Sequence, residues 1–230
     1  MINVKPMVNV RPFENYSKKY DEWFDKNRFI YESELQAVKE LLPSGKTGIE
    51  VGVGSGRFAA PLGIKLGLDP SRKMGEIAKK RGIKVIEGVA ESLPFPDSHF
   101  DFILMVTTIC FLDDVDRAFN EANRVLKPGG FIIIGFIDAE SSLGKFYEEI
   151  RSKSEFYQHA RFYSVNEVIL LMKNAHFKNL CFRQALFQPV DKSRPLDKFQ
   201  QLDEIKSTES VKKGYGEGSF IVVRGTKSIR

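Results

Sequence analysis

The chain has 230 residues, of which 42% are hydrophobic and 28% charged, a composition that predicts a globular domain rather than a disordered chain. No stretch approaches the roughly 20 apolar residues of a membrane helix, and the N-terminus lacks an apolar leader core, so we expect neither a membrane span nor a signal peptide. The net charge is +5, but the basic residues are dispersed, so we do not expect a nucleic-acid partner.

The two cysteines, Cys110 and Cys181, lie in apolar runs and form no C-x-x-C pair. Buried free thiols of this kind are typical of a reducing compartment. We therefore expect a cytoplasmic protein with no metal site.

The first helix is predicted from Ser33 to Leu42. Four apolar residues recur on one face at helical spacing, namely Leu35, Val38, Leu41 and Leu42. Ser33 and Gln36 have the spacing of a capping box, which places the helix start at Ser33.

Short apolar runs then alternate with helical segments. Strands are predicted over residues 47–51, 64–68, 83–86, 100–106 and 131–137. Helices are predicted over residues 72–81 and from Asp113 or Asp114 to Val125, where a Lys-Pro-Gly-Gly turn follows. Strands that are apolar on both faces and separated by helices predict a parallel, doubly wound α/β sheet.

The last third of the chain has a different pattern. Two more strands are predicted over residues 179–187 and 219–224. The polar stretch between them, residues 191–218, is long for a loop, so it is either a mobile excursion or a functional lid.

Residues 48–56, with the sequence GIEVGVGSG, are the most informative segment. Glycine adopts backbone angles closed to other residues and lets a ligand approach the main chain, so a strand ending in alternate glycines predicts a nucleotide site, with a plain structural turn as the alternative. A dinucleotide site prefers G-x-G-x-x-G, but Arg57 occupies the position of its third glycine. Pro61 predicts that the following helix is short or distorted.

The pattern E-x-G-x-G-x-G at residues 50–56 resembles the first motif of class I S-adenosylmethionine-dependent methyltransferases. The resemblance extends over residues 47–138 to the small-molecule branch related to ubiquinone and menaquinone biosynthesis. Its further motifs are GLDPS at 67–71, GVAESLPFPD at 88–97, FD at 100–101 and RVLKPGG at 124–130. It implies a Rossmann-like, mostly parallel seven-stranded sheet with an antiparallel last strand and a helical insertion after strand five.

The resemblance also implies how the single domain is organised. We expect a helical cap over residues 1–43, a cofactor-binding core over 44–138, a substrate-covering insertion over 139–176 and C-terminal strands of the same sheet over 177–230. Ser164 and Glu167 have the spacing of a capping box, which predicts that a regular helix restarts there.

The cofactor implied by the resemblance is S-adenosylmethionine. Asp69, at the end of strand two, would accept hydrogen bonds from two ribose hydroxyls, although capping of the next helix is a second role open to it. The Ala90 N–H and Glu91 would hold the adenine, since Val89 replaces the Asp usual in the family. The remaining cofactor residues implied by position are Glu50, Gly52, Gly54, Gly56, Met105, Thr107 and Tyr20. Orienting the glycine loop is an equal alternative for Glu50.

Methyl transfer requires an acceptor held in line with the methyl group and, for some acceptors, a general base. His159 and Tyr163, in the aromatic-rich insertion, are the candidate catalytic residues, and a structural role for the lone histidine stays open. We favour a methyltransferase acting on a small-molecule acceptor. The alternatives are a catalytically silent S-adenosylmethionine-binding protein and a Rossmann-type NAD(P)-dependent oxidoreductase. Arg57, at the position of the third glycine of a dinucleotide motif, argues against the oxidoreductase.

Overall fold

The computed structural model describes residues 10–187 and 207–228. The strands in chain order are β1 (Gly48–Val51), β2 (Leu66–Asp69), β3 (Lys84–Glu87), β4 (Phe100–Val106), β5 (Leu126–Ile137), β6 (Phe177–Ala185), β7 (Lys212–Lys213) and β8 (Phe220–Lys227). The helices are α1 (Arg11–Asn15), α2 (Ser17–Lys26), α3 (Arg28–Leu41), α4 (Arg72–Lys80), α5 (Val115–Val125), α6 (Ser142–Ile150) and α7 (Val165–Asn174).

All these strands belong to one sheet, in the order β3-β2-β1-β4-β5-β8-β6-β7. The strands from β3 to β5 are parallel, whereas β8 runs antiparallel to both β5 and β6. The Rossmann-like, mostly parallel sheet with an antiparallel last strand is thus confirmed. The two-residue strand β7 pairs with the outer edge of β6, so the sheet has eight strands rather than seven. Ligands of such sheets bind at the carboxyl ends of the parallel strands.

The sheet is covered on both faces, as its apolar strands predict. In β4, Ile103 and Met105 face a core cluster formed with α5 and α7. Leu104 and Val106, which alternate with them, face a second cluster formed with α3, α4 and α6. Successive side chains of a strand point to opposite faces, so a strand buried on both faces must be apolar throughout.

Two local predictions have different outcomes. The predicted helix start at Ser33 is wrong: α3 begins at Arg28, and the Ser33 hydroxyl donates a hydrogen bond to the Phe29 carbonyl at 2.8 Å. The capping box at α7 is confirmed, because Ser164 Oγ accepts a hydrogen bond from the Glu167 N–H at 3.3 Å while the Glu167 carboxylate accepts one from the Ser164 N–H at 2.8 Å.

The segment after the glycine loop, residues 57–63, consists of turns rather than a regular helix. This agrees with the distortion that Pro61 predicts. Most of the predicted polar excursion, residues 191–206, lies outside the described residues. In the part of the chain that the structure describes, no helix is long and apolar enough to cross a membrane.

Candidate active site

A cleft lies at the carboxyl ends of β1, β2 and β4, the edge at which open α/β sheets bind their ligands. Seven of the predicted cofactor residues line this cofactor cleft, namely Gly52, Gly54, Asp69, Ala90, Glu91, Thr107 and Tyr20. Val10, Phe13 and Phe111 also line it, although no sequence motif pointed to them.

Asp69 joins the glycine loop to the end of β2. Its Oδ2 accepts a hydrogen bond from the Gly54 N–H at 2.7 Å, and its Oδ1 accepts one from the Ser71 N–H at 2.8 Å. Burial raises the pKa of Asp69 to about 6, although these two hydrogen bonds lower it. Each carboxylate oxygen keeps a second lone pair, so Asp69 can accept two further hydrogen bonds from neighbouring hydroxyls. Ser71, rather than Asp69, caps α4 by accepting a hydrogen bond from the Met74 N–H.

The three glycines of the loop all have positive φ angles, of 73° at Gly52, 52° at Gly54 and 82° at Gly56. A Cβ at Gly52 would collide with Thr108, and one at Gly56 would collide with Ile83. A Cβ at Gly54 would instead approach Met74 Cε at 3.4 Å, an ordinary contact. Gly54 therefore leaves space on the cleft side of the loop, whereas Gly56 allows close packing against α4 and is not part of the cleft wall.

Two other predicted cofactor residues lie behind the wall of the cofactor cleft. Glu50 is 2% exposed, and its Oε2 has no hydrogen-bond partner among the described residues. Burial raises the pKa of Glu50 well above its ordinary value, although a hydrogen bond with the Ala59 backbone lowers it. This contact favours the alternative role of Glu50, orienting the loop. The Met105 side chain is fully buried in the core on the α5 face.

The loop after β3 supplies the side of the cleft expected to hold adenine. Val89 and Ser92 form an isolated bridge, which presents Ala90 and Glu91 in a tight turn. Glu91 Oε1 accepts a hydrogen bond from the Asp113 N–H at 3.0 Å. Glu91 thereby ties this turn to the segment before α5, and its other oxygen remains available to a ligand.

The N-terminal helices form a roof over the cofactor cleft. The Ser71 hydroxyl donates a hydrogen bond to Glu14 of α1 at 2.7 Å. Phe13 packs edge-on against Tyr20 and Phe111, with ring centroids 5.3 and 5.0 Å away. Tyr20 forms a hydrogen bond with Thr107, while burial raises the pKa of its phenol. The roof thus joins the end of β4, in agreement with the position expected for Tyr20.

A second cavity adjoins the cofactor cleft and shares Tyr20 and Thr107 with it. We call it the acceptor cavity. Five other aromatic side chains line it, namely Trp23, Phe24, Tyr147, Phe156 and Tyr157. Glu34 of α3 is also part of its wall and is 5% exposed. At its mouth Lys19 of α2 forms an ion pair with Glu155 of the insertion.

The two candidate catalytic residues, His159 and Tyr163, lie in different surroundings. His159 is exposed in a turn and is absent from the walls of both the cofactor cleft and the acceptor cavity. In this turn Phe156 and Tyr157 point inward, which leaves His159 toward solvent. Tyr163 is 5% exposed and lines a smaller pocket with Thr107 and Tyr157. The structure therefore brings Tyr163, but not His159, near the end of β4.

Comparisons with known proteins agree with this geometry. A family model described as a methyltransferase domain matches residues 49–134. A SAM-dependent methyltransferase of Thermotoga maritima, known from its crystal structure, is 50% identical with a TM-score of 0.88, covering 95% of this chain and 100% of that one. The uncharacterized protein MJ1123 of Methanocaldococcus jannaschii is 47% identical over 215 residues, which are 94% of this chain and 98% of the relative.

A demethylmenaquinone methyltransferase of Staphylococcus aureus is 31% identical over 140 residues, covering 54% of this chain and 57% of that relative. The cofactor cleft suits S-adenosylmethionine, since Asp69 keeps two lone pairs for ribose hydroxyls and Gly54 leaves the loop open. The chain is an enzyme that uses this cofactor, and it belongs to the family of class I S-adenosylmethionine-dependent methyltransferases.

Proposed function

We propose that the enzyme transfers the methyl group to a small-molecule acceptor bound in the acceptor cavity. The observation that carries this proposal is the shared wall: Tyr20 and Thr107 line both the cofactor cleft and the acceptor cavity. A molecule in the cavity would meet the cofactor at these two residues. The cavity is bounded by α2 on one side and by residues 153–157 on the other, an enclosure that suits a small acceptor better than a macromolecule.

S-adenosylmethionine, when bound, would supply a methyl group on a positively charged sulfur, which makes S-adenosylhomocysteine a good leaving group. The protein's task is to align the acceptor and exclude water. Asp69 and the glycine loop would hold the cofactor, while Phe13 and Tyr20 of the roof would keep water from the junction. Tyr147 and Tyr157 would position the acceptor, which supports the substrate-covering role proposed for the insertion.

Two relatives support a small acceptor. The Thermotoga maritima protein is described as a possible histamine N-methyltransferase, and the Staphylococcus aureus relative is a demethylmenaquinone methyltransferase. These acceptors differ in chemistry, so the fold alone does not select between them. Cys110 and Cys181 are half-buried rather than buried as expected, but both are free thiols, and this is the reason we propose a cytoplasmic location.

The test uses the purified chain and S-adenosylmethionine labelled in its methyl group. We expect calorimetry to show binding of S-adenosylmethionine and S-adenosylhomocysteine, and label to appear in products below about 1 kDa when small-molecule fractions are supplied. Label transferred to protein or nucleic acid would overturn the small-acceptor proposal. Cofactor binding with no transfer to any fraction would favour a silent binder.

A further inference from the structure

We propose that the acceptor carries a basic amine, which Glu34 binds as an ammonium among the aromatic walls of the acceptor cavity. This inference rests on the proposed function, because it names the class of acceptor for the same site. It assigns a binding role to a carboxylate that no methyltransferase motif in the sequence contains.

The first observation is the buried position of Glu34. It lies on the core face of α3, in line with Ile30, Val38 and Leu41, which are all at most 2% exposed. Its carboxylate forms no hydrogen bond or ion pair with any residue that the structure describes. Burying a carboxyl group without a partner costs free energy, so a core position would ordinarily be apolar. Because Glu34 lines the acceptor cavity, a cationic ligand there would supply the missing partner.

The surrounding side chains are suited to an organic cation. Aromatic faces attract ammonium groups, most strongly where water is excluded. Trp23 and Phe24 of α2 meet edge to face at 5.3 Å, and Tyr147 and Tyr157 lie 5.0 Å apart on the opposite wall. The hydroxyls of Tyr20, Tyr147 and Tyr157 interact electrostatically with Glu34, and burial raises the pKa of each phenol, so all three stay neutral.

The other charged groups of the cavity lie at its exposed mouth. They are Lys19, Lys26, Lys153 and Glu155. Desolvation alone raises the pKa of Glu34 to about 8, so these lysines do not act as its counter-ions. The interior therefore has one carboxyl group, whereas the mouth is basic. This arrangement favours a monoamine over a diamine, because a second ammonium would lie near the lysines.

Proton linkage provides a signature that is independent of turnover. With its pKa at about 8, Glu34 is protonated in the empty cavity at pH 7, and it must ionise to pair with an ammonium. Amine binding at pH 7 should therefore release a proton, and amine affinity should rise as the pH increases toward 8. A neutral ligand of the same shape should show neither effect.

The experiment uses the full chain saturated with S-adenosylhomocysteine and a panel of alkyl and arylalkyl monoamines, each paired with the alcohol of the same skeleton. Calorimetry in buffers of different ionisation enthalpy gives both the affinity and the number of protons released. We expect at least one amine to bind at least tenfold more tightly than its alcohol, with proton release at pH 7.

The matched variants are Glu34→Gln and Glu22→Gln, the latter on the exposed surface of α2. Glu34→Gln should lose at least tenfold in amine affinity, abolish proton release and leave alcohol binding unchanged, whereas Glu22→Gln should behave as the unmodified chain. Equal amine and alcohol affinity across the panel, or unchanged amine binding in Glu34→Gln, would overturn the inference. S-adenosylhomocysteine binding, measured first in each variant, checks that the cofactor cleft is intact. Transfer of the methyl label to small-molecule products tests the proposed function separately.

Discussion

Arg57, the first residue after the glycine loop, donates two hydrogen bonds to the carboxylate of Asp21 on α2, at 2.8 and 3.1 Å. The same guanidinium donates to both oxygens of Asp25 at 2.7 Å, and Arg81 donates to Asp21 at 2.9 Å. The side chains of Arg57 and Asp21 are only 15% and 17% exposed. Arg57, which occupies the position of the third glycine of a dinucleotide motif, therefore anchors α2 to the glycine loop.

Replacing Asp21 should destabilise the protein. Burial raises the pKa of Asp21, but its hydrogen bonds with Arg57 and Arg81 lower it to about 2. A carboxyl group whose pKa is lowered by folding stabilises the protein at pH values above its pKa in the unfolded chain, about 4. This contribution is lost as the pH falls through the folded-state pKa of about 2. We expect Asp21→Asn to lower the free energy of unfolding at pH 7 by about 1–2 kcal/mol, as measured by urea denaturation.

Asp25→Asn is the matched control, because Asp25 binds the same arginine but is 68% exposed. Asp25→Asn should lower the free energy of unfolding by less than about 1 kcal/mol, the usual range for an exposed ion pair. Asp21→Asn should also weaken S-adenosylhomocysteine binding more than Asp25→Asn does. Equal losses in the two variants would contradict the anchoring role of Asp21.

Asp69→Ala should weaken S-adenosylhomocysteine binding by about 1.5–3 kcal/mol, the range for hydrogen bonds to a charged group. The control is Glu87→Ala, since Glu87 ends the neighbouring strand β3 but does not line the cofactor cleft. Calorimetry on both variants makes the comparison. If the two variants bind with the same affinity, Asp69 does not hold the ribose.

The pKa of Asp69 gives a separate prediction. Burial raises it to about 6, and protonation converts an acceptor oxygen into a donor. Cofactor affinity should therefore be constant above pH 7 and fall as the pH is lowered through about 6. In Asp69→Asn, which has no titratable group at this position, the same titration should be flat in this range.

Gly54→Val should remove cofactor binding while Gly63→Val preserves it. Both glycines have positive φ angles, of 52° and 75°, so both substitutions strain the backbone. A side chain at Gly54 would enter the cofactor cleft, whereas a Cβ at Gly63 meets no atom within 4 Å. Circular dichroism checks that each variant is folded, and calorimetry measures binding. Retained binding in a folded Gly54→Val protein would make the loop a structural turn.

Seven residues named from the sequence line the cofactor cleft, and there is a physical reason why a sequence reveals such residues. The backbone geometry of a strand-to-helix turn requires glycine at fixed spacing, and Asp69 follows a strand whose end is set by its apolar run. These features are local, so they are visible in a single segment. The fold follows similarly, because strands buried on both faces, such as β4, are continuous apolar runs.

The acceptor side depends on contacts between distant segments and was mostly missed. Glu34 is a polar residue on the face that Val38 and Leu41 mark within the predicted helix, and starting the helix at Arg28 adds Ile30 to this face. With that start, Ile30, Glu34 and Val38 recur at every fourth position, a signal that a longer window would have contained. His159 lies beside aromatic residues in sequence, but the orientation of its turn places it in solvent.

Thr107 has a left-handed conformation, with φ at 48°, at the junction of the cofactor cleft and the acceptor cavity. A β-branched residue in this region is strained by on the order of 1 kcal/mol, and such strain is concentrated at functional sites. We expect the free energy of unfolding of Thr107→Gly to change by less than about 1 kcal/mol, because the relief of strain is offset by the lost Tyr20 hydrogen bond and by the freedom of glycine in the unfolded chain. The substitution should lower methyl-transfer turnover, because the Tyr20 contact and the fixed geometry at the junction are both lost.

Ser98→Gly is the control for this prediction. Ser98 has a similar φ, 54°, but is exposed in the loop before β4, at the opposite end of this strand from Thr107. Its replacement should relieve comparable strain and leave turnover unchanged. Thermal denaturation and single-turnover kinetics on both variants separate the two effects. If neither variant loses turnover, the strain at Thr107 has no part in positioning the acceptor against the cofactor.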